Sequence, residues 1–425
     1  MTDAFELKHC RLCKSKKLKL VIDLGKSPPP NTLLSKSQLT KPEPIFPLRV
    51  NFCLDCHQLQ LSHVVSPELM FRKYAYVSST SRAMVEHFEK YAQDAVRNLS
   101  LKAGDFVVEI GSNDGTLLKS FKNLGMKVLG VDPARNIAHQ ATKEGILTLP
   151  EYFDTKIAKQ IVKKYGKAKI ICGNNVFAHI NHLDEVMKAV DILLDDNGAF
   201  IIEFPYLVDT INDNVFDTIY HEHLSYLSVK PLNKFFKRFG MQIFDCLRTF
   251  VQGGSIRIFV KRGTSNFLLK DSVDKAQKLE ETKGLDKTQT YLDFAKRIYK
   301  TKKELMQLLR KLKSRGKKII GYGAPGRSTT LLNYFSINSK ILDCIVDDNQ
   351  LKHNLYTPGT HIPIFDVPQI NITNPDFILI LSWNYANPII NKIKVSQKFK
   401  GRFIIPVQAP RIVRRHYLTD FLARS

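Results

Sequence analysis

Two clusters in this sequence carry residue types that can do chemistry. The first is four cysteines in two pairs, "CRLC" (Cys10, Cys13) and "CLDC" (Cys53, Cys56). Each pair offers two sulfur ligands from one tight turn, and two pairs make a tetrahedral set for zinc. Four thiolates leave no open position, so the metal is expected to be structural, with His57 a neighbour rather than a ligand. The second cluster is "YHEHLSYLS", Tyr220 to Ser228. A metal site, a catalytic base or a wet surface strand would each account for it. In an extended segment Tyr220 and Glu222 point one way, and His221 and His223 the other; in a loop that alternation need not hold. No cysteine or matched carboxylate pair stands near to complete a metal set around the histidines.

Two glycine loops suggest nucleotides. In "VVEIGSNDG" an apolar strand ends in Glu109 and turns through Gly111, Asn113 and Gly115 into the helical "TLLKSF". "VLGVDP" follows, with Asp132 17 residues after Gly115, where a carboxylate can accept both ribose hydroxyl protons. The loop has two glycines where the dinucleotide fingerprint needs three. Strand, acid, G-x-x-x-G and second acid fit S-adenosylmethionine better, with a nicotinamide cofactor and an empty structural turn as the alternatives. The second loop, "IIGYGAPGRSTTLL", does have the full spacing, Gly321, Gly323 and Gly326, and Asp347 lies 21 residues on. That is the dinucleotide pattern, so the chain carries two candidate nucleotide loops.

These clusters require elements to position them. At 425 residues the chain exceeds one ordinary core, and two or three domains are expected. Residues 1–70 hold the cysteines and a proline-rich loop and read as a zinc-binding module. Residues 71–262 alternate short apolar strands with helical stretches, the pattern of a parallel sheet covered on both faces. Residues 263–425 begin with polar-faced helices and end in a second, smaller α/β unit. The fold class is thus α/β throughout. Hydrophobic residues make up 44% and charged ones 24%, as in a soluble globular protein. Apolar runs such as "FILILSW" are far too short to span a bilayer. "MTDAFELKHC" lacks a signal peptide's apolar stretch, so a cytoplasmic location is expected, where paired cysteines favour metal over disulfides. Lys plus Arg outnumber Asp plus Glu by 64 to 40, a net charge of +24. That excess suits nucleic acid, anionic lipid or phosphorylated small molecules, but it is spread widely and forms no tract.

Taken together, the cysteine pairs, "DLGKSPPPN", "YAYVSSTSRAMVEHF", "EIGSNDG", "NNVFAHI", "EFPY", "YHEHLSYLS", "QGGSIRIFV" and "GYGAPGRS" resemble one family over nearly the whole chain. It is the three-domain, S-adenosylmethionine-dependent sugar C-methyltransferases acting on nucleotide-linked 4-keto-6-deoxy sugars. The resemblance implies a central class I methyltransferase domain, Rossmann-like in form, between the zinc module and a C-terminal Rossmann-like domain that helps hold the nucleotide. It implies Asn175 beside the donor, His223 as the base, Tyr220 and Glu222 as residues that orient substrate or base, and His179 as a stabiliser of the enolate. Either Tyr74 or Tyr76 would match the family's catalytic tyrosine, and carbon 3 is the family's usual target. Carbon methylation needs a base, a donor to the enolate oxygen and a positioned sulfonium methyl, and no metal. Arg327 and the helix amides beyond Gly326 would favour a pyrophosphate, although the family often has a lysine-like or small residue near that position. A zinc-containing nucleic-acid methyltransferase or nucleic-acid-binding protein is the competing reading. "EFPY" is not its base-flipping motif, and nucleic acid is not the expected partner. A nicotinamide oxidoreductase using the second loop is the third.

Overall fold

The computed structural model describes residues 4–71, 77–80, 82–397 and 399–414; Tyr74 and Tyr76 fall outside them. Phe106–Ile110 is buried along its whole length and Ala168–Asn174 nearly so, as strands covered on both faces must be. They lie side by side at the middle of a seven-stranded sheet. Its order is Met241–Thr249, Ser255–Arg262, Leu194–Pro205, Ala168–Asn174, Phe106–Ile110, Lys127–Val131, Thr148–Leu149. The first five strands in chain order pair in parallel as 3-2-1-4-5, the doubly wound core. Ser255–Arg262 then inserts antiparallel against Leu194–Pro205, and Met241–Thr249 pairs outside it. Amphipathic helices cover the faces. Arg82–Asn98 buries Met84, Phe88, Tyr91, Ala92 and Ala95, one stripe at helical spacing.

The N-terminal sheet is four-stranded and antiparallel: Leu18–Ser27, Phe46–Cys53, Leu59–Leu61 and, from far along the chain, Ser225–Tyr226. The last strand lies within "YHEHLSYLS", so this segment leaves the central domain to pair with the cysteine-bearing module. The C-terminal sheet runs Ile364–Phe365, Ile345–Val346, Ile319–Tyr322, Phe377–Ile380, Arg402–Ile405, Arg411–Val413, parallel except for the final pair. The helix Thr288–Ser314 (27 residues, roughly 40 Å long at 1.5 Å per residue) braces the units. Tyr291 packs on Phe52 of the N-terminal sheet at 4.9 Å, and Arg297 and Thr301 bond to Ile211 and Asn214 of the central domain. No helix among the described residues is long and apolar enough to cross a membrane.

From the C-terminal unit the helix Gly326–Phe335 reaches the same segment. Thr330 Oγ1 donates to the Ile219 carbonyl at 2.6 Å in a buried contact. Thr330→Val keeps the shape and leaves that carbonyl without this donor. The expected loss is about 1–3 kcal/mol, read as a lower denaturant midpoint; an unchanged midpoint would remove Thr330 from the framework.

Candidate active site

The four cysteine sulfurs lie within 4.8 Å of one another. Cys10 and Cys56 are 3.5 Å apart, as are Cys13 and Cys53, far beyond a disulfide bond and near the roughly 3.8 Å edge of a tetrahedron with 2.3 Å zinc–sulfur bonds. The two knuckles have the same build. The backbone N–H of the residue after the second cysteine, Lys14 or His57, donates to the carbonyl of the first, and both residues adopt left-handed backbone, φ 65° and 69°. Hydrogen bonds from Cys10 and Cys56 hold Cys53 well below the usual thiol range, and the contact with Cys53 helps push Cys10 up to about 12. Sulfurs so crowded cannot all ionise without a cation. The donor set fits zinc, which would hold the two loops together with no open position for chemistry. His57 stacks on Phe52, and no other group of metal-ligating side chains stands among the described residues.

The first glycine loop sits at the carboxyl end of the sheet where the strand order reverses, the position at which open α/β sheets bind ligands. Gly111 has φ +65° and a Cβ there would meet Val176 Cγ2 at 2.7 Å, so only glycine lets the loop pass. Asp132 is buried, and its two oxygens accept the backbone N–H groups of Asn113 and Ala134 at 2.8 Å. Asn113 Oδ1 accepts from Ser78 N, which ties the loop to the segment before Arg82. Gly111, Asn113, Asp132 and Asn175 line a cavity of roughly 1370 Å³. Glu109 and Gly115 do not. Glu109 lies behind the wall with Asn174 donating to it at 3.3 Å, its carboxyl pushed far up by burial. Gly115 starts the helix Thr116–Asn123 in left-handed backbone.

The same cavity receives Tyr220, Glu222, His223 and His179. Residues 220–223 form a turn closed by His223 N donating to Tyr220 O at 2.9 Å, so the extended-segment alternation does not hold. Tyr220 and His223 meet instead: the phenol oxygen is 2.8 Å from Nε2, and Nδ1 is 2.7 Å from the Thr218 carbonyl. A carbonyl only accepts, so Nδ1 carries the proton and Nε2 presents its lone pair to Tyr220. His179 lies 5.0 Å from His223, ring to ring. Burial pulls His179 down to about 4 and, with His179 beside it, takes His223 well below the ordinary histidine range, so both are neutral near pH 7. Glu222 accepts from Asn31 Nδ2 at 2.8 Å. His221 turns away: it is buried against Phe46 and does not line the cavity.

The far wall comes from the C-terminal unit. Gly323 has φ +85°, and a Cβ would strike Ser382 Oγ at 2.1 Å. Asp347, the acid of the dinucleotide pattern, is taken up by its own loop, accepting Ala324 N, Asn349 N and Lys352 Nζ. Arg327 lines the cavity, stacked over Trp383 at 5.2 Å with its Nε 3.5 Å from the buried Asp217. Asn384 and Tyr385 also line this wall, and Tyr152 and Phe153 line the cavity from the central domain. The sequence reading missed them because aromatic and amide residues after short strands carry no spacing signal.

Three family models cover the chain: "Putative zinc binding domain" at residues 10–71, "Methyltransferase domain" at 84–245 and "C-methyltransferase C-terminal domain" at 250–408. The chain is 35% identical over 405 residues to the C-methyltransferase NovU of Streptomyces niveus, spanning 95% of this chain and 96% of that protein. This chain belongs to the C-methyltransferase family. Matches to solved structures are partial. An S-adenosylmethionine-dependent methyltransferase from Clostridium acetobutylicum ATCC 824 is 14% identical, covering 42% of this chain and 92% of its own at a TM-score of 0.34. Magnesium protoporphyrin IX methyltransferase from Synechocystis PCC 6803 is 16% identical, covering 42% and 83% at 0.33. The enzyme is an S-adenosylmethionine-dependent C-methyltransferase with a class I methyltransferase domain at its centre.

Three outcomes are expected. Metal analysis of the enzyme purified without added zinc should find about one equivalent; an ordered, metal-free module would refute the site. Asp132→Ala should weaken S-adenosylmethionine binding in calorimetry by about 1.5–3 kcal/mol, and unchanged affinity would remove Asp132 from the donor site. The folded chain refuses a proton on His221 until about pH 4, whereas the unfolded chain binds one near 6.5. Wild type should therefore lose stability faster than His221→Phe as pH falls from 6.5 to 4, and parallel curves would contradict this.

Proposed function

We propose that the enzyme transfers the methyl group of S-adenosylmethionine to carbon 3 of a nucleotide-linked 4-keto-6-deoxy sugar through an enolate, in branched deoxysugar biosynthesis in the cytoplasm. The observation that carries this reading is the Tyr220–His223 pair, with its proton fixed on Nδ1 and its lone pair on Nε2. It faces a cavity that runs from the donor loop to the C-terminal glycine loop. That cavity exceeds the roughly 300–1,000 Å³ of a pocket for one small ligand, so donor and acceptor fit side by side. A neutral imidazole can take the proton beside the ketone at once, whereas a protonated one would first have to lose its own. His223 takes this proton directly or through the Tyr220 oxygen. The electron pair moves to the ketone oxygen, where the neutral His179 donates a hydrogen bond. The pair returns to form the carbon–carbon bond as the carbon–sulfur bond breaks, and S-adenosylhomocysteine leaves with its sulfur neutral. Glu222 orients the sugar hydroxyls, and Arg327 favours the pyrophosphate.

Mass spectrometry of products from a panel of nucleoside-diphosphate 4-keto-6-deoxyhexoses tests the substrate class; no methylated product from any of them would sink it. His223→Ala should lower turnover by 10²–10⁴-fold, the usual worth of a general base, while leaving donor binding intact. In deuterium oxide with S-adenosylhomocysteine, wild type should exchange deuterium into carbon 3 and the variant should not. Exchange at the wild-type rate in the variant would move the base to another residue.

A further inference from the structure

Arg11 stands between two zinc-ligating cysteines and is 1% exposed. A buried guanidinium needs hydrogen-bond acceptors; Nη1 and Nε find theirs in and beside the active site's framework, whereas Nη2 has none among the described residues. Arg11 Nη1 donates to the carbonyls of Leu61 and Leu224, each at 2.9 Å. Nε donates to Asn181 Oδ1 at 3.3 Å. Leu224 is the residue after His223, and Asn181 is two residues after His179. The knuckle fixes Arg11 from behind, because its backbone N–H donates to Gln60 Oε1 at 2.8 Å. Gln60 in turn is paired with Ser225 across the short strands.

We infer that Arg11 is a positioning residue for the reaction: the zinc knuckle, through this one side chain, sets the placement of the 220–223 turn and of the loop that carries His179. The inference rests on the proposed role of His223. A second contact from the same module supports it, since Asn31 holds Glu222 of that turn at 2.8 Å. The planar fork of arginine matters here, since it spans two carbonyls and an amide at once, whereas a lysine ammonium is a point charge on a flexible stem. A displacement of about 1 Å at such a turn is enough to cost roughly 10²-fold in rate.

Arg11→Lys and Arg11→Met should keep about one zinc per chain and bind S-adenosylmethionine within about twofold of wild type. With whichever 4-keto-6-deoxyhexose nucleotide the wild type methylates, kcat should fall roughly 10–100-fold with KM little changed. Amide hydrogen exchange across residues 218–226 should quicken at least about tenfold while residues 106–132 keep their protection. Wild-type kcat and wild-type protection in a zinc-loaded variant would overturn the inference. If both variants lose zinc, exchange in the wild-type chain with and without a chelator reads the same link, and equal protection of 218–226 in the two states overturns it. The comparator is His223→Ala. Should that variant retain turnover, the reading of the base fails, while the exchange data still decide whether Arg11 holds the turn.

Discussion

The structure depends on satisfying the backbone of one buried turn. Residues 216–225 are almost wholly excluded from water and form little regular secondary structure. Each polar backbone group there needs a partner, because an unpaired buried carbonyl costs about 1–3 kcal/mol. The partners come from every unit of the chain. The Thr218 carbonyl accepts a hydrogen bond from His223 Nδ1–H. The Ile219 carbonyl is served by Thr330 from the C-terminal unit. The Leu224 carbonyl is served by Arg11 and by Leu61 N from the cysteine-bearing module. All three units thus supply partners to this turn.

This arrangement explains why a methyltransferase sheet carries two further domains. The proposed donor loop is built within the central domain, where Asn113 N donates to Asp132 and Gly111 and Asn113 adopt left-handed backbone. The central sheet does not supply the other walls. Asn31 comes from the N-terminal module, and Pro325, Gly326 and Arg327 come from the C-terminal one. The contact between these walls is close: a side chain at Gly326 would meet Asn31 at 2.9 Å. The proposed acceptor site and base therefore lie at a junction, where walls from several domains would exclude water and strengthen hydrogen bonds aimed at developing charge.

Electrostatics at the junction follow from the same burial. His179, His221 and His223 are all pulled toward the neutral form, but only two of them face the cavity. Asp217 is buried one residue before Thr218; the Trp383 indole donates to it at 2.7 Å and Arg327 lies beside it. Its ion pairing with a C-terminal arginine links the charge of one unit to the turn of another, and that arginine in turn lowers the basicity of His223.

The sequence by itself determined the local chemistry. Four thiols at two-residue spacing, the glycine turn after "VVEI" and the alternation of apolar strands with helices are short-range patterns, and short-range sterics and ligand geometry decide them. Cys10, Cys13, Cys53 and Cys56 could be grouped from spacing, and Asp132 could be set opposite Gly111 from the distance between strands. Only the tertiary structure decided which way "YHEH" faces. A strand would have put His221 beside His223, but Ser225–Tyr226 pairs with a module more than 150 residues earlier, and the preceding residues turn to reach it. It likewise took Glu109 out of the cavity and engaged Asp347 in its own loop. Arg11 carried no signal in the sequence, because two of its side chain's three partners are backbone carbonyls, which every residue type has, and the third, Asn181, lies 170 residues away.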